Sequence, residues 1–138
     1  MIIILDTSFL FALKSKKDQY HKRAYEILNE FEGEKTKYFT NYFIMNETLT
    51  LAISRSQGNI SFFEKYIALF FENDNFFQVL QNAPQEFKKI IEICKKYITS
   101  KRLLSFSDAS LIYLYQKLNA NYIVSFDSHF DNILNRKF

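Results

Sequence analysis

Four acidic residues of this sequence occupy positions that surface solvation does not explain: Asp6, Glu47, Asp108 and Asp127. The other Asp and Glu residues stand mostly among Lys and Arg on polar helix faces. Asp6 and Asp127 each follow a short apolar run that is typical of a buried strand. Glu47 lies within an apolar stretch, and Asp108 stands near the start of an apolar helical pattern. These four carboxylates form the candidate functional site.

If the fold brings the four carboxylates together, a cation must compensate them. Two unpaired carboxylates within about 4 Å repel by roughly 4 kcal/mol at an effective dielectric near 20. No Lys or Arg lies close in sequence to Glu47, Asp108 or Asp127. A divalent ion would compensate them, and an all-oxygen site selects Mg²⁺ or Mn²⁺. Zinc is disfavoured, because the two histidines, His21 and His129, are far apart in sequence and there is only one Cys.

Such a site supports phosphoryl transfer with water as the nucleophile, because a dication lowers the pKa of water and stabilises the attacking and leaving oxygens. A phosphodiester is the natural substrate, and since bare carboxylates would repel it, cleavage should require metal. Thr7, Ser8 and Ser125 flank the acids. We expect these hydroxyls to orient a carboxylate or a water on the ion; alternatively, they only cap helices.

Each acid also has an ordinary structural interpretation. Asp6 could be a cap residue for a helix starting near Ser8, and Asp108 could be an acid in the first turn of a helix. Glu47 could lie on the polar stripe of an otherwise buried helix, and Asp127 could be a turn residue. The metal hypothesis therefore depends on all four side chains converging.

The apolar run at residues 2–5, which shows no alternation, predicts a strand of a parallel sheet that is buried on both faces. The candidate strands are residues 2–5, 38–40, 76–80 and 122–126. Asp6 and Asp127 come at the ends of the first and last of them. Because open parallel sheets bind ligands outside the carboxyl ends of their strands, these two acids should face one crevice.

Helical spacing of apolar residues predicts helices between the strands. Residues 20–31 form an amphipathic pattern that ends near Gly33, whereas residues 8–13 are predicted to be a short apolar turn. The predicted starts of the later helices, which run to about residues 52, 71, 98 and 118, are Asn41, Ser61, Pro84 and Ser107. Alternating helices and strands indicate an α/β sandwich with a parallel sheet.

Length and composition favour one domain spanning residues 1–138, with 48% hydrophobic residues and few Gly or Pro. The net charge of +3 suits a polyanionic partner. Cys94 has no second thiol, which excludes an internal disulfide. The apolar run at residues 2–5 is too short for a signal peptide, and no stretch approaches the ~20 residues that span a bilayer. We therefore expect a cytoplasmic protein without a membrane segment.

Four stretches together resemble the PIN domain family, and more closely its VapC-like toxin ribonucleases. They are residues 2–10 around Asp6, residues 40–49 around Glu47, residues 104–110 around Asp108 and residues 123–130 around Asp127. Their order and spacing agree with the family over essentially the whole chain.

The resemblance implies a three-layer α/β/α sandwich and a Mg²⁺- or Mn²⁺-dependent endoribonuclease. It gives catalytic and metal-binding roles to Asp6, Glu47, Asp108 and Asp127. It also implies a toxin–antitoxin pair, in which a cognate antitoxin protein occludes the site. Asp131, just beyond the last motif, is interpreted as surface charge rather than as an accessory acid.

Cations in the loops that lead to or from the acidic motifs are candidate contacts for RNA phosphates. They are Lys14, Lys16, Lys17, Lys101 and Arg102. Ordinary solvated charge is the alternative for each of them. The aromatic-rich residues 62–77 either form a self-contained core or leave a face that a homodimer or an antitoxin helix would cover.

Two other function classes compete with a ribonuclease. The first is a phosphotransferase or receiver-like domain in which Asp6 or Asp127 accepts a phosphoryl group. It is disfavoured because no second acid follows two residues after Asp6. The second is a PIN-like module that binds RNA or protein without cleaving. It is disfavoured because a site freed from metal has no reason to keep four mutually repelling charges.

Overall fold

A computed structural model describes all 138 residues, and its centre is a five-stranded, entirely parallel sheet in the order β3-β2-β1-β4-β5. The strands are β1 (Ile2–Leu5), β2 (Lys37–Asn41), β3 (Phe77–Leu80), β4 (Tyr122–Val124) and β5 (Arg136–Lys137). Ile3, Ile4 and Leu5 of the central strand are completely buried. Burial on both faces explains why this strand shows no polar alternation.

Six helices and one short 3-10 helix connect the strands. They are α1 (Thr7–Lys14), α2 (His21–Glu30), α3 (Tyr42–Arg55), α4 (Ile60–Phe71), α5 (Glu86–Tyr97), α6 (Phe106–Leu118) and the 3-10 helix Ser128–Phe130. The predicted three-layer α/β/α sandwich with a central parallel sheet is confirmed. No helix is long and apolar enough to cross a membrane.

Strand register brings the carboxyl ends of β1 and β4 to the same level. Leu5 is paired with Val124, and the Asp6 backbone N–H donates to the Val124 carbonyl at 3.2 Å. The residues that follow the two strands, Asp6 and Ser125, therefore leave the sheet side by side. The sequence predicted Asp6 and Asp127 at the strand ends: Asp6 directly follows β1, whereas β4 ends earlier than predicted and Asp127 lies in the loop beyond it.

Asn41 fixes the start of α3 at the same edge, as the sequence predicted. Its side-chain oxygen accepts from the Ile44 backbone N–H at 3.1 Å, which is a standard N-cap. Its amide nitrogen also donates to the Ser110 hydroxyl at 2.9 Å, and both residues are buried. One side chain thus links the start of α3 to α6. Helix α3 carries Glu47, and helix α6 carries Asp108.

The predicted cap of α6 is wrong. Ser105, not Ser107, is the N-cap, because its hydroxyl accepts from the Asp108 N–H at 3.0 Å while the Asp108 carboxylate accepts from the Ser105 N–H at 3.0 Å. This reciprocal pair is a capping box. The predicted cap of α4 is also wrong: Asn59, two residues before Ser61, accepts from the Phe62 N–H.

Other boundaries differ for reasons of burial and length. The stretch predicted as an apolar turn is the helix α1, whose residues are so thoroughly buried that no polar stripe marks its period. The helix predicted from Pro84 begins at Glu86, and the one predicted to end near Gly33 ends at Glu30. The two-residue edge strand β5 has no apolar pattern and was not predicted.

Candidate active site

The carboxylate of Asp6 is held by two hydroxyl groups. Asp6 is the N-cap residue of α1, but its side chain makes no capping hydrogen bond. Instead, its Oδ2 accepts from Ser8 Oγ at 2.7 Å and from Ser125 Oγ at 2.6 Å. The interpretation of Asp6 as a helix cap alone therefore does not account for its position, because the chain orients this carboxylate with side chains from two separate segments.

The same two serines connect Asp6 to the loop that carries Asp127. Ser125 is completely buried, and its hydroxyl accepts from the Asp127 backbone N–H at 3.0 Å. Ser8 Oγ accepts from the Phe126 N–H at 2.9 Å and lies 3.3 Å from Ser125 Oγ. The prediction that Ser8 and Ser125 orient a carboxylate agrees with this network. It fixes the first and last acidic motifs relative to each other.

Asp108 and Asp127 face each other across His129. His129 Nδ1 lies 3.2 Å from Asp108 Oδ2 and 3.4 Å from Asp127 Oδ2. Asp127 Oδ1 accepts from the His129 N–H at 2.9 Å, and Asp108 Oδ2 is the oxygen used in the capping box. One ligand atom from each of the three residues lies within 4.8 Å of the others. Asp108 thus caps a helix and Asp127 lies in a turn, as first considered for them, and both still direct ligand atoms into a shared space.

Glu47 completes the group from α3. It is exposed, and loss of hydration of its carboxylate raises its pKa above the usual value, to which the negative charges of Asp6 and Asp108 add. The nearby hydroxyls of Ser107 and Thr7 partly offset the rise. The influence of Asp6, which follows β1, and of Asp108 in α6 indicates that Glu47 lies at the open rim of the same cluster.

The negative charge of the cluster is not compensated by any Lys or Arg. None of Asp6, Glu47, Asp108 and Asp127 forms an ion pair with a Lys or Arg. Burial is the main cause of the raised pKa of Asp6, and the negative charge of Asp108 adds to it, although the Ser125 and Ser8 hydroxyls act in the opposite direction. The protein therefore keeps Asp6 and Glu47 where ionisation of their carboxyls is less favourable than in water, and a nearby cation would favour it.

The donor set fits a hard divalent cation. Four carboxylates supply the oxygen ligands that Mg²⁺ and Mn²⁺ prefer. Thr7 is 6% exposed, and its hydroxyl lies close enough to Glu47 to lower the pKa of that carboxyl, yet it forms no well-aligned hydrogen bond within the protein. A buried hydroxyl without a partner is costly, and a ligand or an ion-bound water in the cluster would satisfy it.

His129 is the site residue that the sequence analysis missed. Its distance in sequence from His21 argues against a site formed by the two histidines. His21 does lie elsewhere, with Nδ1 2.6 Å from the Ala12 carbonyl. The neighbours of the His129 ring are Asp108 and Asp127. The available signal was its position two residues after an acid at a strand end, which places its ring on the same side of the turn.

The candidate RNA-contacting cations are not gathered in one place. Lys16 and Lys17 line a groove of about 920 Å³ between the loop after α1, the end of α3 and the start of α4. Lys14 instead lines a smaller depression beside Glu72 and Asp74. Lys101 and Arg102 lie in the turn before α6, where the Arg102 guanidinium donates to the Asp131 carbonyl at 2.9 Å.

The groove is strongly basic. Besides Lys16 and Lys17 it is lined by Arg55 and Lys65, with Asp18 as its only acid. None of the four clustered acids lines it, so it is a surface separate from the acidic site. A polyanion is the ligand class that such a groove attracts.

Asp131 does not join the cluster. Its carboxylate pairs with the Arg136 guanidinium through two hydrogen bonds, at 2.6 and 3.0 Å, and this pairing lowers its pKa. The Arg136 side chain is only 8% exposed and also donates to the Ser125 carbonyl at 3.1 Å. Asp131 is thus a partner of a largely buried arginine that supports the loop carrying Asp127.

Comparison with known proteins gives a family and a fold. The family model described as PIN domain matches residues 3–134. VapC20 of Mycobacterium tuberculosis, a toxin that cleaves the sarcin–ricin loop, superposes with a TM-score of 0.76 at 21% identity, over 91% of this chain and 90% of VapC20. PAE2754 of Pyrobaculum aerophilum superposes with a TM-score of 0.56 at 17% identity, over 94% and 82%. At these identities the two structures show a common fold, and no curated protein matches the chain significantly in sequence.

Proposed function

Because the chain belongs to the PIN domain family, we propose that it is an endoribonuclease that hydrolyses RNA phosphodiester bonds with Mg²⁺ or Mn²⁺ held by Asp6, Glu47, Asp108 and Asp127. One observation carries the proposal. Acids from four remote segments lie at one edge of the sheet, and no Lys or Arg compensates them. Such an arrangement is unfavourable in the free protein and becomes favourable when a dication binds.

The chain's own residues supply position and rigidity. When bound, the dication would activate water as the nucleophile and stabilise the charge that develops on the phosphate. Ser8 and Ser125 hold the Asp6 carboxylate, and backbone N–H groups hold those of Asp108 and Asp127. Glu47, at the exposed rim, lies where a phosphodiester would enter. Carboxylates fixed in this way need little reorganisation when they bind an ion.

We extend the proposal to a toxin role with a cognate antitoxin. The support is the similarity in fold to VapC20, itself a toxin that cleaves RNA of the sarcin–ricin loop. In this role the antitoxin would occlude the acidic edge of the sheet. The basic groove beside Lys16 and Lys17 would bind the backbone of an RNA whose scissile bond lies at the acids.

A second copy of the chain is the further partner that we propose. The aromatic-rich segment is only partly self-contained: Tyr66, Phe70 and Phe77 are buried, whereas Phe71 is 68% exposed. Phe71 shares a helical face with Ile60 and Ile67, which are also exposed. A homodimer would cover this apolar face of α4, and the molar mass in solution, measured by light scattering for wild type and Phe71→Asp, tests it. A monomeric wild-type protein would contradict it.

The experiment that tests the nuclease is cleavage of labelled structured and unstructured RNA with Mg²⁺, with Mn²⁺ and with EDTA. We expect cleavage with either ion, none with EDTA, and none by Asp6→Asn, whose amide oxygen can still accept both serine hydroxyls. Glu64→Gln is the matched control, because it removes one exposed charge on α4 that forms no ion pair.

Two outcomes would replace the proposal. Transfer of label from a phosphodonor to the protein would indicate the phosphotransferase. Tight retention of RNA without cleavage in any metal would indicate a binding module.

A further inference from the structure

His129 contributes the only imidazole near the acidic cluster. Its Nδ1 lies 3.2 Å from Asp108 Oδ2 and 3.4 Å from Asp127 Oδ2, and one ligand atom from each residue lies within 4.8 Å of the others. A cation that enters between these two carboxylates therefore meets an imidazole nitrogen as well as oxygens.

The separations are close to those of neighbouring ligands around a single ion. Ligand atoms at about 2.1 Å from an octahedral ion stand about 3.0 Å apart when they are cis to each other. The observed distances of 3.2 and 3.4 Å exceed this value by a few tenths of an ångström. A small contraction would thus bring Nδ1 into the coordination sphere of an ion that Asp108 and Asp127 share.

Local structure holds the imidazole in this position. His129 lies in the 3-10 helix Ser128–Phe130, and its backbone N–H donates to Asp127 Oδ1 at 2.9 Å. The next residue, Phe130, is completely buried and anchors the turn in the core. The His129 side chain remains 34% exposed, so an ion can reach the ring from solvent.

A second observation indicates that this cluster lacks a ligand. The Thr7 hydroxyl, in a residue that is more than nine-tenths buried, lies near Glu47 but forms no well-aligned hydrogen bond in the protein. Buried hydroxyls are rarely left in this state. The cluster therefore has the Thr7 hydroxyl on its Glu47 side and the His129 imidazole on its Asp127 side. An ion and its waters would bind both groups.

We propose that His129 is a metal ligand, forming an Asp–Asp–His group with Asp108 and Asp127, and that it makes the site prefer Mn²⁺ and other first-row transition dications to Mg²⁺. Imidazole suits transition dications, whereas Mg²⁺ selects oxygen ligands and gives up water reluctantly. The inference rests on the proposed metal-dependent function and specifies which ion the site favours. It adds one nitrogen ligand to the oxygen ligands that the sequence predicts.

A positioning role is the competing explanation for the same contacts. In that case the imidazole would only donate a hydrogen bond from Nδ1 to the two carboxylates. His129→Asn separates the two roles, because the Asn amide nitrogen lies at a similar distance from the backbone and still donates. An amide nitrogen does not bind metal, and an amide oxygen lacks the preference of imidazole for transition dications. A positioning residue replaced in this way would leave the relative affinities for Mn²⁺ and Mg²⁺ unchanged.

The test is Mn²⁺ binding followed by electron paramagnetic resonance, with Mg²⁺ affinity obtained by competition. For wild type we expect pulsed spectra with a nitrogen coupling that changes when the protein carries ¹⁵N-histidine. His129→Asn should lose this coupling, and its Kd for Mn²⁺ should rise about tenfold or more, whereas its Kd for Mg²⁺ should change far less. The control His21→Gln removes the other histidine and should keep the coupling.

Two results would overturn the inference without affecting the nuclease proposal. One is Mn²⁺ bound by wild type with no histidine nitrogen coupling, and the other is an equal loss of Mn²⁺ and Mg²⁺ affinity in His129→Asn. If wild type bound neither ion, this inference and the proposed function would both be wrong. The outcomes therefore distinguish a wrong ligand from a wrong function.

Discussion

Replacing Ser125 with Ala tests the network that holds the acidic cluster together. The Ser125 hydroxyl donates to Asp6 Oδ2 at 2.6 Å and accepts from the Asp127 N–H at 3.0 Å, in a completely buried position. Ser125→Ala removes both hydrogen bonds and leaves the side of Asp6 that faced Ser125 without a donor. The same change should loosen Asp6 and Asp127, two proposed metal ligands that follow different strands.

The expected loss follows from the two contacts. A hydrogen bond to a charged acceptor contributes about 1.5–3 kcal/mol, and the N–H of Asp127 loses its partner as well. We therefore expect the free energy of unfolding of the metal-free protein to fall by roughly 2–3 kcal/mol. For a chain of this length, a loss of about 2 kcal/mol corresponds to a decrease in Tm of about 5–8 °C. The Kd for Mn²⁺ should rise in parallel.

The assay is urea unfolding without metal, together with a double-mutant cycle. In an Asp6→Asn background the acceptor is neutral, so Ser125→Ala should cost about 1 kcal/mol less than in wild type, although the Asp127 N–H still loses its partner. Ser128→Ala serves as the control, because that hydroxyl is exposed and forms no hydrogen bond. A loss of less than about 0.5 kcal/mol in Ser125→Ala, the range of an ordinary surface substitution, would refute the reasoning.

Three further predictions concern pH, RNA binding and the helix cap. Because the pKa of Asp6 is raised in the folded state, the metal-free protein loses stability as pH rises from about 4 through that raised pKa. Asp6→Asn should therefore raise the Tm at pH 7 and make the Tm less dependent on pH. A lower Tm at pH 7 would contradict this reasoning. For catalytically inactive protein that binds single-stranded RNA, the logarithm of the Kd rises with the logarithm of the salt concentration. Lys16→Ala and Lys17→Ala should each lower this slope by about 0.7. An unchanged slope would show that the groove does not contact RNA phosphates. Asn41→Ala should lower the free energy of unfolding by about 1–3 kcal/mol in a urea titration, because it removes both the cap of α3 and the bond to α6, whereas a neutral effect would contradict the linkage.

Much of the fold could be predicted from short-range patterns. The buried strands β1 and β4 show as unbroken apolar runs, and Asn41 shows as a cap before an apolar helix. The parallel arrangement then places Asp6 and Asp127 at one edge, because the carboxyl ends of parallel strands share an edge. The acids at strand ends were therefore predictable without knowledge of any contact.

The remainder depends on contacts that sequence spacing does not encode. Asp131 and Arg136 are five residues apart, but their pairing requires the edge strand β5, whose two charged residues carry no apolar signal. His129 meets Asp108 across 21 residues, a contact that exists only after α6 and the 3-10 helix pack on the sheet.

The most direct test of the central claim is the fate of water oxygen in the cleaved phosphodiester. Cleavage of RNA in ¹⁸O-labelled water with Mn²⁺, analysed by mass spectrometry, should give a terminal phosphate with one ¹⁸O and no 2′,3′-cyclic phosphate, because water is the nucleophile at the acidic cluster. The product should be absent for Asp6→Asn. A cyclic phosphate without ¹⁸O, or the same product yield in EDTA, would contradict hydrolysis by metal-activated water.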